Sequence, residues 1–313
     1  MKIAVLIPCF NEERTIGKVI NDFKQELPDA EIYVYDNNSS DRTSEIAIRH
    51  GAIVKHEPRQ GKGNVVRAMF SEIDADYYVM ADGDDTYPAE FVHQLLQPLI
   101  EKKAHMVIGD RLSNNTYREQ NKRQFHNLGN RLVKGLINSL YKSSLSDIMT
   151  GYRAFNRFFV KSMPVLSPGF EIESEMTIHA LDKRFIVEEI PIVYRDRPEG
   201  SESKLHTFSD GYKVLKMVFV LFKDYKPLMF FSLWSAFFLI SGLAVGSPVI
   251  VEFIQTSFIT KVPSAILAVG LILVSIMFMI SGLILDTVAS VHRKQYELEL
   301  KRIYDTIEEQ RID

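Results

Sequence analysis

Apolar positions follow two different rhythms along this chain. In the first part, short continuous apolar runs (KIAVLIP, EIYVYD, AIVKH and YYVMAD) alternate with stretches where apolar residues recur every three or four positions, at Thr15 to Leu27, Ser44 to His50 and Gly63 to Ile73. Short apolar runs fit buried strands and the longer spacing fits helices laid against them, so the pattern predicts a βαβ series with a mostly parallel sheet. Further on the rhythm disappears. Leu228 to Ile250 and Pro263 to Ser290 are apolar throughout, and Asp286 is the only acidic or basic residue in either stretch. Each exceeds the roughly 20 residues a helix needs to cross a hydrocarbon core, which predicts two transmembrane helices joined by the loop Glu252 to Val262.

Charge around these stretches sets their expected direction. Lys213, Lys216, Lys223 and Lys226 precede the first span and Arg293 and Lys294 follow the second, while the connecting loop carries only Lys261. Basic residues stay on the cytoplasmic side, so both ends of the hairpin are expected there. The segment 211–227, with KVLKMVFVLFKDYK, reads either as an interfacial helix or as a plain amphipathic core helix. The expected organisation is an α/β domain over 1–210, an interfacial helix over 211–227, spans over 228–250 and 263–290, and a charged cytoplasmic helix over 291–313. KQYELELKRIYDTIEEQ in that last helix suits either a helix–helix contact with a second copy or a solvated helix.

Composition narrows the class. The 313 residues are 46% apolar, enough for a core, and 37 basic against 40 acidic residues leave a net charge of −3. Nothing in that balance suggests nucleic-acid binding. Cys9 is the only cysteine, which excludes an internal disulfide and any CxxC knuckle and fits a reducing compartment. MKIAVLIPCF is too short for a signal-peptide core and reads as a buried strand.

In parallel sheets ligands sit at the carboxyl ends of the strands, so the chemistry is sought there. After the first strand comes Pro8-Cys9-Phe10-Asn11-Glu12-Glu13, and after the second Asp36-Asn37-Asn38-Ser39-Ser40-Asp41-Arg42-Thr43. Each loop is explained by helix capping, or by an Asp that accepts hydrogen bonds from a ribose or a base edge. The third strand end is sharper. Asp82-Gly83-Asp84-Asp85-Thr86 follows Tyr77 to Ala81 directly, and carboxylates packed this closely repel one another unless a cation is present. Asp82 and Asp84 can converge on one oxygen-preferring divalent ion that also binds a pyrophosphate, and Gly83 admits the ligand close to the backbone. Gln60-Gly61-Lys62-Gly63-Asn64 opens a helix and reads either as a loop against phosphate or as an ordinary glycine turn.

A second polar set comprises Gly109-Asp110-Arg111, Arg123, Asn127, Asn130, Arg195-Asp196-Arg197 and Ser203-Lys204. Arg together with Lys suits two anionic groups, a donor pyrophosphate and a lipid phosphate, although scattered basic residues also describe a solvated surface. Glu171, Glu173 and Glu175 in FEIESEM offer a base for a hydroxyl acceptor or form the exposed face of a helix. Asp147 stands just before Met149-Thr150-Gly151-Tyr152-Arg153 and is a further candidate for the site.

IPCFNEE, YDNNSSDRT, QGKGNVVRAM, MADGDDTYPAEF, GDR, DIMTGYRAF and RPEGSESKL, in order from Ile7 to Leu205, resemble family-2 glycosyltransferases of the dolichyl-phosphate mannose synthase branch. The two apolar stretches are similar to those of polyprenyl-phosphate glycosyltransferases. The resemblance implies a GT-A fold, an α/β domain with a Rossmann-like, mostly parallel sheet, followed by two transmembrane helices. It implies Pro8, Phe10, Glu12, Tyr35, Asp36, Asn37 and Lys62 around the nucleotide sugar, and Asp82, Gly83 and Asp84 around diphosphate and a Mg²⁺ or Mn²⁺ ion. It places Arg111, Arg123 and Asn127 at the acceptor phosphate and Arg197 and Lys204 over the donor pyrophosphate, with Asp84, Asp147, Arg197 and Lys204 carrying the catalysis. The chain departs from the family in two places. DGDDT stands where mannose synthases have DADLQ, so that the third metal position is filled by Thr86 or Asp85 or left empty, and RPEGSESKL is one residue longer than the common GESKL.

The implied reaction is inverting transfer of a sugar from a nucleotide sugar to dolichyl or undecaprenyl phosphate, whose ionised phosphate attacks without a general base. DGDDTYPAEF looks more like the UDP-N-acetylglucosamine and UDP-glucose group than the GDP-mannose group. The implied setting is the cytoplasmic face of a plasma membrane or endoplasmic reticulum. A processive polysaccharide synthase would carry QxxRW, whereas the single tryptophan, Trp234, lies inside the first span. A silent scaffold, binding through Asn121 to Tyr141 or Arg293 to Asp313, has no need of Asp82, Asp84, Arg197 and Lys204.

Overall fold

The computed structural model describes residues 1–113, 124–195, 216, 219–220 and 222–312, without the side chains of residues 124–132 and 310–312. The chain forms two compact units, Met1–Leu215 with Ile303–Asp313, and Lys216–Arg302.

The first unit is built on strands β1 (Ile3–Cys9), β2 (Glu31–Asp36), β3 (Ile53–His56), β4 (Tyr77–Met80), β5 (Met106–Asp110), β6 (Arg153–Asn156) and β7 (Val187–Pro191), in the order β3-β2-β1-β4-β6-β5-β7. All pairings are parallel except those of β6, which runs against both β4 and β5. Helices α1 (Ile16–Glu26), α2 (Thr43–Arg49), α3 (Lys62–Glu72) and α4 (Val92–Ile100) fall where the apolar spacing changes. They are followed by α5 (Gln124–Tyr141), α6 (Arg157–Ser162) and α7 (Ile172–Asp182). Ile16, Val19, Ile20 and Phe23 form one buried stripe on α1 and share a core cluster with Val5, Ile7, Val79 and Leu95. Parallel strands covered on both faces need apolar residues at successive positions, which is why β1 reads IAVLIPC rather than alternating.

The register brings the strand ends level. Cys9 lies beside Asp36, and Asp36 beside His56. Because β2 and β4 flank β1 on opposite sides, the strand order switches there, and a crevice opens at the carboxyl edge. The loops around it are tied together. The Asn11 N–H donates to Ser39 Oγ (2.9 Å), the Glu12 N–H to Thr43 Oγ1 (2.8 Å), and the Thr15 hydroxyl to the Gly83 carbonyl (2.6 Å).

The second unit is dominated by α8 (Pro227–Thr256) and α9 (Val262–Ile312), both long and apolar enough to cross a membrane. The second apolar stretch and the charged tail are one continuous helix of 51 residues, about 75 Å long at 1.5 Å per residue. Where α8 and α9 meet, the Ser275 hydroxyl donates to the Ser235 carbonyl (2.9 Å). Such bonds join helices in an apolar solvent, where burial of apolar surface contributes little. Of the expected interfacial segment, residues 216, 219–220 and 222–225 are described and helical, and 211–215 lie outside the described residues.

His179 on α7 packs between Phe159 and Phe185, and burial, with a smaller contribution from Lys183, lowers its pKa to about 3. The unfolded chain takes up this proton near pH 6.5 and the native state does not, so the native state loses stability as pH falls below that value. The stability difference between wild type and His179→Gln is expected to shrink by about 2 kcal/mol between pH 7 and pH 5 in denaturant titrations of detergent-purified protein. A difference that stays constant with pH would contradict this.

Candidate active site

The residues after β1 and β2 build the rim of the crevice. Pro8 and Phe10 are half-buried, and Glu12 is buried. Asp36 accepts from the Ser39 N–H (2.9 Å) and the Ser44 hydroxyl (2.6 Å). The Asn37 amide donates to the carbonyls of Glu57 and Arg59, both at 2.8 Å, and its oxygen accepts from the Gly61 N–H (2.6 Å) and from Gln60 (3.3 Å). That uses the full hydrogen-bonding capacity of the amide and fixes the path of residues 57–61. Tyr35 is fully buried and its hydroxyl donates to Glu72 (2.9 Å), so its side chain serves the core while its backbone lines up with Pro8.

The acidic turn after β4 sorts its carboxylates by backbone conformation. Asp85 is left-handed, with φ at 61°, and its carboxylate meets Lys18 (2.6 Å). The Thr86 hydroxyl and N–H both donate to Asp84 Oδ1, at 2.6 and 3.2 Å, so Thr86 aims the Asp84 carboxylate. A Cβ on Gly83 would stand 2.7 Å from Cys9 Sγ, so glycine here lets the turn close against β1. Asp82 and Asp84 are the residues that could hold a divalent cation. Among the described residues no third His, Cys, Asp or Glu joins them to form a cage. Two hard oxygen donors with open positions suit Mg²⁺ or Mn²⁺ arriving with diphosphate oxygens.

Lys62, the first residue of α3, sends its ammonium group into this site. It lies 2.5 Å from Asp82 Oδ1 and 2.7 Å from Glu173 Oε1, and the side chains of Lys62 and Glu173 are each only 8% exposed. Burial works against the charge on Lys62, yet the two carboxylates overcome it and raise the pKa; burial raises that of Glu173, opposed by Lys62. The N-terminus of α3 is already used. The Gly63 N–H donates to the Gly169 carbonyl (3.1 Å) and the Asn64 N–H to that of Pro168 (3.3 Å). A Cβ on Gly61 would stand 2.2 Å from the Pro168 oxygen and one on Gly63 1.8 Å from the Ser167 oxygen. The glycines flanking Lys62 therefore admit the 167–169 backbone, and only the Lys62 side chain reaches the crevice.

On the other side of the crevice, Arg111 is held in one plane. Its Nε and Nη2 donate to the two oxygens of Asp147, at 2.7 and 3.0 Å, and Nη1 donates to the Tyr87 hydroxyl (3.3 Å). Tyr194 covers the guanidinium at 5.5 Å, and burial raises the Tyr87 pKa. Asp147 is itself placed by Glu189, which accepts from the N–H groups of Ser146 (2.8 Å) and Asp147 (2.9 Å). Arg153, with no exposed surface, donates to the carbonyls of Ile148 and Thr150 and to Thr177, and burial lowers its pKa to about 10. Glu173 is 111 positions from Lys62 in sequence, and no motif spacing could have paired them. Nor does any short-range pattern mark Glu189, and Arg153, although part of the DIMTGYRAF motif, is assigned no role by it. Arg123, Arg197 and Lys204 lie outside the described residues, as does the side chain of Asn127, whose backbone belongs to α5.

Residues 4–163 match the model of glycosyl transferase family 2. The chain belongs to that family. It is 32% identical over 302 residues to the glycosyltransferase AglJ of Haloferax volcanii, covering 96% of this chain and 97% of the relative. A dolichyl-phosphate hexose transferase of the same organism is 30% identical over 216 residues, or 69% of this chain and 92% of the relative. Among solved structures, glucosyl-3-phosphoglycerate synthase from Mycobacterium tuberculosis, crystallised with Mn²⁺, UDP-glucose and phosphoglyceric acid, has the same fold. That match has a TM-score of 0.55 at 21% identity over 70% of this chain and 79% of that one. The enzyme is thus a glycosyltransferase with the GT-A architecture expected from its strand-end motifs.

Gly63→Ala is expected to destabilise the first unit by about 2 kcal/mol or more, since the added methyl meets a backbone carbonyl that cannot rotate away. Gly135→Ala, with no atom within 4 Å of its added Cβ, is expected to be neutral or to stabilise α5 by about 0.5–1 kcal/mol. Melting of both variants in the same detergent tests the contrast, and equal effects would contradict it.

Proposed function

We propose that this glycosyltransferase transfers a sugar, with inversion, from a UDP-sugar (UDP-N-acetylglucosamine or UDP-glucose) to the phosphate of a membrane-borne polyprenyl phosphate, at the cytoplasmic face. The observation that carries this reading is the state of the two acids nearest the crevice that could deprotonate a hydroxyl. Asp147 is bound through both oxygens to Arg111, and Glu173 is bound to Lys62. Carboxylate oxygens already engaged by a buried cation are not free to take a proton from a hydroxyl, whereas a phosphate monoester is already ionised and needs no base. The match to a dolichyl-phosphate hexose transferase and the two apolar helices support a lipid acceptor.

In this reading Asp82 and Asp84 hold Mg²⁺ or Mn²⁺, which when bound neutralises the developing charge on the departing nucleoside diphosphate. Asp84, aimed by Thr86, presents a fixed oxygen, and Glu12, Asp36 and Asn37 shape the nucleoside end. Lys62 meets the diphosphate. Arg111, held in one orientation by Asp147 and Tyr87, offers a preorganised donor to the acceptor phosphate and needs no reorganisation as the bond forms. The motif match assigns Arg197 and Lys204 to the donor pyrophosphate, and Arg123 and Asn127, with Arg111, to the acceptor phosphate. The basic residues on either side of the apolar pair favour the cytoplasmic side.

Detergent-purified enzyme with Mn²⁺ or Mg²⁺, a short polyprenyl phosphate and a panel of UDP- and GDP-sugars should form a phosphate-linked glycolipid, read by mass spectrometry, from a UDP-sugar. Asp84→Ala should lower kcat by about a hundredfold or more. Glycolipid from GDP-mannose alone would overturn the donor assignment, and sugar transfer to a hydroxyl the acceptor assignment.

A further inference from the structure

Lys62 is more than a residue near the donor, because it already holds one oxygen of the carboxylate that the cation needs. Its ammonium sits 2.5 Å from Asp82 Oδ1 and 2.7 Å from Glu173 Oε1, enclosed on a third side by Gly151, where a Cβ would stand 2.9 Å from Nζ and 2.7 Å from Asp82 Oδ2. Lys62 uses Oδ1 of Asp82, and a divalent cation on the remaining Oδ2 would stand close to the ammonium, where like charges repel. Asp84 Oδ1 is meanwhile taken by the two donors of Thr86. A bare cation entering the crevice would therefore meet the charge of a buried lysine, with one oxygen of each aspartate already engaged.

We propose that Lys62 keeps Asp82 closed to free divalent cations, so that the cation enters only together with a diphosphate-bearing donor. This rests on the reading that Asp82 and Asp84 form the cation site. The diphosphate supplies what the protein withholds: oxygen ligands for the cation and an anionic acceptor toward which Lys62 can turn while Glu173 keeps hold of it. Glu173 is thus a positioning residue that stops the ammonium from resting on Asp82 alone.

Mn²⁺ alone is the probe, with free Mn²⁺ read by electron paramagnetic resonance against detergent-purified full-length protein. Lys62→Met by itself leaves two buried carboxylates without a cation, so the Lys62→Met/Glu173→Gln double variant is the main test. It removes one positive and one negative charge, and the site's net charge is unchanged. The double variant is expected to bind Mn²⁺ at least about tenfold more tightly than wild type, the scale of one charge-assisted hydrogen bond. Glu173→Gln alone, which leaves Lys62 entirely to Asp82, should bind it more weakly. Adding Asp82→Asn should abolish the gain. A double variant no tighter than wild type, or a gain that survives Asp82→Asn, overturns the proposal. The titration uses no sugar donor, acceptor or turnover, so a missing glycolipid would count against the transfer reaction and leave this result standing.

Discussion

A lysine ammonium with almost no access to water stays charged only where carboxylates surround it, and the arrangement of the crevice follows from meeting that condition at Lys62. Asp82 from the end of β4 and Glu173 from α7 must both come within hydrogen-bonding distance. To bring Glu173 there, the segment before α7 presses its backbone against the start of α3, closely enough that glycine is required on both sides of Lys62. Glu175 holds the same segment from the other side, accepting from the N–H groups of Leu166 and Ser167 at 3.0 and 2.8 Å. Helix, turn and loop are locked by one charge that cannot be left uncompensated.

The Arg111 side of the crevice obeys the same rule with a different cation. Arg111 and Arg153 are both buried, and each is satisfied by groups drawn from separate elements: Asp147, Tyr87 and Tyr194 around the first, and the 148–150 backbone and Thr177 around the second. Buried pairs of this kind contribute little net stability, because desolvation offsets the attraction, but they penalise every other arrangement of the loops. A transferase gains from that. Donors fixed in this way need little reorganisation when an anion meets them.

Much of this enzyme was legible without coordinates. The helix spacing at Ile16, Val19, Ile20 and Phe23 and the apolar strands of the first half are local properties, set by side-chain periodicity, and α1, α2 and α3 lie within a residue or two of their expected places. The two apolar stretches were visible for the same reason, since length and apolarity are sums along the chain. The DGDDT turn announced itself through charge density. The antiparallel strand β6 was not visible, because Arg153–Asn156 carries no mark of direction and only its partners β4 and β5 decide it.

By itself, then, the sequence determined strands β1 to β4, helices α1 to α3 and the two membrane-length stretches, and which polar loops stand at those strand ends. Those features depend on neighbours within a few positions. The tertiary structure alone decided what each polar residue does there: Asp85 turned to Lys18, Thr86 bound to Asp84, Asp147 held by Arg111 and Lys62 shared between Asp82 and Glu173. The physical reason is desolvation. A charge in water needs no particular partner, whereas a buried one must find its counter-charge wherever the fold brings it, and distance along the chain places no limit on that choice.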